Sequence, residues 1–395
     1  MALRRRDYSR EKIDFGLTEA DLGPRLEPGT ERALLDFPAM PAKRKLDVQS
    51  SWPEHWAPLP QELPNEPNTS DALPRADYLV VTWTVAELEA LADVLTPGVA
   101  RNTWYRYARR FDEHYAPLIR RGAPAKQAHR LGSYYMTRIA DAKVLCFKSE
   151  LHLNQDGIMQ PSGFATLPVR DLFLQLIEEV QPRMVITVGT AGAVNPDHFL
   201  GDVYITRAAK FRCHQEFEQA PFNNQTYKSD FAIPTGAMAV AGELLRLQDK
   251  QLIEPDFAPP TRHYKWEGPA LPGTKNHPVI RVDGGSRKQD FKAFLPILTT
   301  DFFEFGTTKN KLWKQGCSVE MGDAVLGLAA QELGPRAPKW LVIRNASDPA
   351  INALLPHDMQ AHWAVWFYEQ FGYWTSVNSA IAAWAVIAGD QGFER

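Results

Sequence analysis

Pro168-Val-Arg-Asp-Leu-Phe-Leu-Gln-Leu-Ile-Glu-Glu-Val-Gln-Pro-Arg-Met-Val-Ile-Thr-Val188 decides the fold. Val169, Leu172, Phe173, Leu176 and Ile177 recur at helical spacing, and Pro182 closes the run. Residues 184–188 then form a short apolar, β-branched stretch, which reads as a strand buried on both faces. Upstream, residues 143–147 and Tyr78-Leu-Val-Val-Thr82 read the same way, with a helix over 86–95 stopped by Pro97-Gly98. Downstream, 323–333 reads as a helix and 340–344 as a strand. A last helix runs over 359–388, with a break expected at Gly372. Strand, helix, strand in this rhythm indicates parallel βαβ units. The expected fold is α/β: a single domain over residues 76–395, with a central mixed sheet flanked by helices on both faces.

Two regions depart from the rhythm. In residues 1–75, Pro53, Pro58, Pro60, Pro64, Pro67 and Pro74 punctuate a polar segment that offers neither a ladder nor a long helix. It reads as an extended arm on the core or on a neighbouring subunit, with Trp52 and Trp56 as anchors. Residues 215–295 are interrupted by Pro255, Pro259, Pro260, Pro269, Pro272 and Pro278, and read as an irregular insertion.

Composition excludes several classes. A net charge of −3 over 395 residues gives no electrostatic case for nucleic acid. Cys146, Cys213 and Cys317 are isolated and odd in number, so neither a metal site nor a disulfide framework is expected. A reducing cytoplasm fits these cysteines. The apolar stretch 380–388 is too short to span a membrane, and Arg4, Arg5 and Arg6 precede no apolar run.

Three segments carry candidate chemistry. Val185-Ile-Thr-Val-Gly-Thr-Ala-Gly-Ala-Val194 takes a strand into a glycine turn, and Leu200-Gly-Asp-Val-Tyr-Ile205 opens the next strand. Glycines there allow close approach of the backbone to a ligand. Ser318-Val-Glu-Met-Gly-Asp-Ala324 opens a helix, where Glu320 and Asp323 also suit the macrodipole. Trp340-Leu-Val-Ile-Arg-Asn-Ala-Ser-Asp348 delivers Ser347 and Asp348 at the carboxyl end of a buried strand, where α/β sheets place their sites.

In order and spacing these segments resemble the signatures of the nucleoside phosphorylase and nucleosidase superfamily, which includes purine nucleoside phosphorylases and methylthioadenosine/S-adenosylhomocysteine nucleosidases. The resemblance runs from about residue 78 to 388. It implies cleavage of the N-glycosidic bond of a purine nucleoside, adenosine-type or 5′-modified, without a cofactor. Asp348 would protonate the leaving purine and Glu87 would orient the attacking water. Phe303 would stack on the base, and Met321 would pack on the sugar. Gly189, Thr190 and Ser347 would line the pocket, and His214 would reach the sugar's 5′ end across a subunit interface. Gly322 stands where the family has a sugar-binding carboxylate, which shifts that role to Glu320 or Asp323.

Hydrolysis is expected rather than phosphorolysis. Thr187 occupies the place of a phosphorylase arginine, and threonine cannot supply its charge. Arg101, Arg106, Arg109 and Arg110, read as a basic, aromatic-rich helix, are the alternative source of phosphate contacts, with Arg207 and Arg212. A phosphate-dependent phosphorylase and an inactive nucleoside or nucleotide sensor stay open as alternatives. The resemblance also implies a homo-oligomer, a dimer or a multiple of one. Trp363, Trp366, Phe367, Tyr368, Phe371, Tyr373 and Trp374 offer apolar surface for it.

Overall fold

The computed structural model describes residues 51–251, 278–354 and 357–393. In chain order its main elements are β1 (Leu59–Gln61), β2 (Tyr78–Thr82), α1 (Val85–Leu95), β3 (Tyr105–Tyr107), α2 (Pro124–Ala128), β4 (Gly132–Ile139), β5 (Ala142–Ser149), α3 (Leu153–Asp156), α4 (Pro168–Val180), β6 (Met184–Ala193), β7 (Val203–Thr206), β8 (Ala208–Phe211), β9 (Thr226–Lys228), α5 (Met238–Gln251), β10 (Ile280–Val282), β11 (Ile297–Thr299), β12 (Ser318–Glu320), α6 (Asp323–Leu333), β13 (Lys339–Asp348) and α7 (His357–Asp390).

All thirteen strands join one mixed sheet. Its centre is parallel: β5, β2, β6 and β13 lie side by side in that order. Their apolar runs are buried from end to end, as the absence of alternation requires for strands covered on both faces. β4 pairs antiparallel with β5, β7 with β13, and β12 with the end of β6. Helices α1, α5 and α7 pack together, and α4 packs on α6, giving a helical layer on each face. This is the expected α/β class.

Several local expectations are corrected. Residues 189–192 are not a turn: β6 continues through Ala193, held by β13 on one edge and β12 on the other. Helix α7 passes Gly372 without a break. Residues 101–110 form no helix beyond a single 3₁₀ turn at Arg101–Thr103. Tyr105 and Tyr107 alternate inward from a short strand on β4, with Arg106 between them. Within the proline-rich arm, β1 does build a ladder with β4. Pro60 is tolerated there because β1 is an edge strand.

The arm lies on its own core. The Trp52 ring sits 4.6 Å from that of Trp384, Trp384 Nε1 donates to the Trp56 carbonyl at 2.7 Å, and Trp56 meets Phe393 edge-on at 5.0 Å. Its first fifty residues, and 252–277 of the insertion, lie outside the described residues. The rest of the insertion is less irregular than expected, since β9, α5 and β10 belong to the fold. The C-terminal aromatic cluster is mostly internal. Phe367, Tyr368 and Phe371 are buried in their own subunit, and the Tyr373 hydroxyl donates to Asp93 at 2.6 Å. The side chains of Trp363 and Trp366 lie outside the described residues. No helix among the described residues is long and apolar enough to cross a membrane.

Candidate active site

A cleft opens over the carboxyl ends of β2, β6, β12 and β13. Of the residues expected from sequence, it is lined by Glu87, Thr190, Phe303, Glu320, Met321, Ser347 and Asp348. Gly189, Asp323 and His214 do not line it. Trp83, Tyr368, His152, Asn154, Gln155, Glu304 and Arg344 do, and the sequence reading had missed them.

Glu87 owes its place to a helix start. Thr84 caps α1 and accepts from the Glu87 N–H at 3.3 Å, while Glu87 Oε2 accepts from the Thr84 N–H at 2.8 Å, a reciprocal capping box. The same Oε2 accepts from the Trp83 N–H at 3.0 Å and the Thr82 hydroxyl at 3.1 Å. Oε1 accepts from both the N–H and the hydroxyl of Thr190, each at 2.8 Å. Burial pushes the Glu87 carboxyl up, but the Arg344 charge and these hydrogen bonds outweigh it and hold the group below its ordinary range.

Arg344 organises this wall. It rises from the middle of β13, only 3% exposed. Its Nε and Nη2 bind Asp323 Oδ2 and Oδ1 at 2.8 and 2.6 Å, a bidentate pair. Glu320 Oε2 lies 3.5 Å from Nη2 and Glu87 Oε1 3.6 Å from Nη1. The guanidinium also stacks over the Trp83 ring, 4.8 Å from its centroid. Gly189 explains itself here: a Cβ would fall 2.4 Å from Glu87 Oε1 and 2.5 Å from Arg344 Nη1. That glycine makes room for an ion cluster, not for a ligand. Asp323 is likewise spent on Arg344 and fully buried, so of the two acids proposed to replace the carboxylate missing at Gly322, only Glu320 reaches the cleft.

Glu320 is held at the start of α6. The Asp323 N–H reaches both of its oxygens at 3.0 Å, and the Thr299 hydroxyl donates to Oε1. Burial, and then the neighbouring Asp323 carboxylate, raise its proton affinity against the pull of Arg344.

Asp348 forms the other wall. It is 5% exposed, and the Ser347 hydroxyl donates to Oδ1 at 3.0 Å. Oδ2 has no partner. Gly192 leaves it space, since a Cβ there would lie 3.0 Å away. With one hydroxyl to offset burial, its pKa rises to about 7. Phe303 also lines the cleft, packed on Phe305 at 5.8 Å. His214 is exposed, with its ring beside Arg212 and Phe302.

No family model matches the sequence, and no curated protein matches it. Solved structures are similar to it. One is the 5′-methylthioadenosine/S-adenosylhomocysteine nucleosidase from Neisseria meningitidis in complex with methylthio-immucillin-A: 14% identity, 79% of this chain and 98% of that chain, TM-score 0.43. The S-adenosylhomocysteine nucleosidase from Streptococcus pyogenes shares 14% identity over 80% of this chain and 98% of its own, with a TM-score of 0.41. The futalosine hydrolase of Helicobacter pylori shares 11% over 79% and 97%, with a TM-score of 0.42. At such identities and scores neither a substrate nor a reaction carries over to this chain.

The cleft's own groups define what it can do. One wall presents a carboxylic acid that is half protonated near neutral pH. The other presents Glu87, held as an anion, and Glu320, whose proton affinity is raised, both beside a single arginine. An acid facing an anionic wall suits a reaction in which a leaving group takes a proton while positive charge builds on the fragment it leaves.

Proposed function

We propose that this cleft hydrolyses the N-glycosidic bond of a purine nucleoside to free base and sugar. The observation that carries the reading is Asp348: buried, protonatable near pH 7, and with Oδ2 unpartnered in the cleft wall. The base stacks on Phe303 and receives the Asp348 proton at its imidazole nitrogen as the C1′–N9 bond breaks. The sugar packs on Met321, and the charge developing on it is stabilised by Glu87 and Glu320. Water attacks C1′ and gives its proton to Glu320 in the molecules whose Glu320 is ionised, a fraction that grows as pH rises toward about 8. Glu87 accepts five hydrogen bonds already, so it orients and stays anionic, whereas Glu320 has the higher proton affinity.

Water is favoured over phosphate by charge. Arg344 is the one arginine or lysine among the lining residues, and it is committed to Glu87, Glu320 and Asp323. A phosphate dianion would enter a wall with excess negative charge. The active form is proposed to be a homo-oligomer, which sedimentation velocity at micromolar protein tests; a stable monomer overturns that part.

The assay incubates the protein with adenosine, inosine, methylthioadenosine and AMP, with and without phosphate, and measures free base. Base released without phosphate is the expected result. Base released only with phosphate makes the protein a phosphorylase. Binding without release makes it a sensor.

A further inference from the structure

The end of the cleft opposite Asp348 is polar, and its chemistry selects one kind of 5′ substituent. Asp348 ends β13, whereas His152, Asn154 and Gln155 follow β5. Three strand spacings separate β13 from β5, about 14 Å. With the base on Asp348 and Phe303 and the sugar on Met321 and Glu320, as proposed above, the part of the cleft next beyond the sugar is the β5 end, since Asn154 lies against Met321.

Gln155 dominates that end. It is 9% exposed, lines the cleft, and its Oε1 has no hydrogen-bond partner among the described residues. Buried amides without partners are rare, because the group loses its water and gains nothing in return. Asn154 beside it is fixed, its carbonyl accepting from Arg120 Nη2 at 2.7 Å and its Nδ2 lying 3.5 Å from Met321 Sδ. Thus the segment after β5 is anchored to Met321 while the Gln155 Oε1 stays unanswered. Arg130 and Lys148, behind the turn, pair with Glu150, and Glu304 in the cleft wall pairs with Arg212 at 3.1 Å. The lining therefore brings no uncommitted arginine or lysine for a phosphate. An amide that can both donate and accept suits a hydroxyl.

We infer that the β5 end of the cleft receives an unmodified 5′-hydroxyl, bonded by the Gln155 amide, and discriminates against 5′-deoxy, 5′-thioalkyl and 5′-phosphoryl nucleosides. The inference rests on the nucleoside-cleaving reading of the same cleft. A site built to hydrogen-bond a hydroxyl rejects the analogue lacking it more strongly than an apolar pocket rejects an added one.

The test compares adenosine, 5′-deoxyadenosine, 5′-methylthioadenosine and AMP on the full chain, with inosine and 5′-deoxyinosine as a second pair. For wild type, kcat/KM for the 5′-hydroxyl compound should exceed that for its 5′-deoxy partner by about tenfold or more. In Gln155→Leu the ratio should collapse to within about threefold; being internal to each variant, it does not depend on the fraction of active protein. A wild-type preference for the 5′-deoxy or methylthio compound, or for AMP, overturns the inference. So does a ratio that survives Gln155→Leu. If no compound releases base, the hydrolytic reading fails separately, and calorimetric binding of each pair to wild type and Gln155→Leu reads the same ratio. Equal affinities, or no binding, overturn the inference there too.

Discussion

Asp348 and Glu87 are buried carboxyl groups in one cleft, and their surroundings push their proton affinities in opposite directions. Glu87 meets five donors and a guanidinium, which together defeat the cost of burial. Asp348 meets one hydroxyl, and burial wins. The difference is one of neighbours, not of depth, since both are at most 5% exposed. It teaches that the cleft separates two tasks: a wall that keeps charge, and a wall that keeps a proton. Pairs of titratable groups pushed apart in this way are a mark of acid–base sites.

The charged wall breaks most severely at its cation. Arg344→Met leaves Glu87, Glu320 and Asp323 buried without a counter-charge. Removing one partner from such a cluster costs about 3–5 kcal/mol, so urea unfolding should show a loss of that order. A variant as stable as wild type would mean that the cluster is not held by Arg344. Next in size is the comparison of the two wall acids. Glu320→Gln removes the proposed proton acceptor and should lower turnover by roughly 10² to 10⁴. Glu87→Gln should lower it by less, about tenfold, the equivalent of about 1.4 kcal/mol. Added phosphate should rescue neither. The reverse ranking would make Glu87 the base.

Smaller effects separate two glycines. Gly189→Ala puts a methyl within 2.5 Å of Glu87 and Arg344 and should cost about 1–3 kcal/mol through overpacking. At Gly322 a Cβ meets only ordinary contacts, 3.5 Å from Trp83 and 3.7 Å from Glu320, on extended backbone. Gly322→Ala should stay within about 0.5 kcal/mol of wild type. Equal losses in the two melts would contradict the account of Gly189.

The walls also differ in pH response. Asp348 has a folded pKa above its ordinary value, so its contribution to stability is full below about pH 4 and is lost as pH rises to about 7. Glu87 has a lowered pKa, so its contribution holds near neutrality and is lost on acidification below its ordinary range. The limb of turnover set by Asp348 should therefore fall as pH rises through about 7. The melting temperature of Asp348→Asn should gain on wild type from pH 4 to 7 and then stay level with pH. A difference that does not change with pH would place the Asp348 carboxyl in a hydrated setting.

Much of the centre of the fold was legible in sequence, because strands buried on both faces are written as unbroken apolar runs. Tyr78-Leu-Val-Val-Thr82 and residues 184–188 are such runs. What failed was local inference from composition. Glycines at 189 and 192 suggested a turn, but they sit in a strand because carboxylates and a guanidinium crowd its surface. Four arginines over 101–110 suggested a helix, although the alternation at Tyr105 and Tyr107 was the better signal. Arg344 was visible as a charge inside an apolar run, and that anomaly was the available clue to the ion cluster. Short strands such as β10 depend on long-range partners, so no local signal marks them. For the site, the resemblance to known family motifs named seven of the residues that line the cleft. His152, Asn154 and Gln155 belong to a turn that only the sheet order brings there.

The central claim is that Asp348 keeps a proton for the leaving base, and Asp348→Asn tests it most directly. Asparagine nearly preserves the volume and leaves Ser347 in place, but it removes the acid. Single-turnover base release on the best substrate should slow by roughly 10² or more. Substrate binding should change little, because the base gains its charge only in the transition state, and the fall in rate with rising pH should disappear. Base release at a near-normal rate, with the wild-type pH dependence intact, would contradict the account and leave Asp348 as a turn residue at the end of β13.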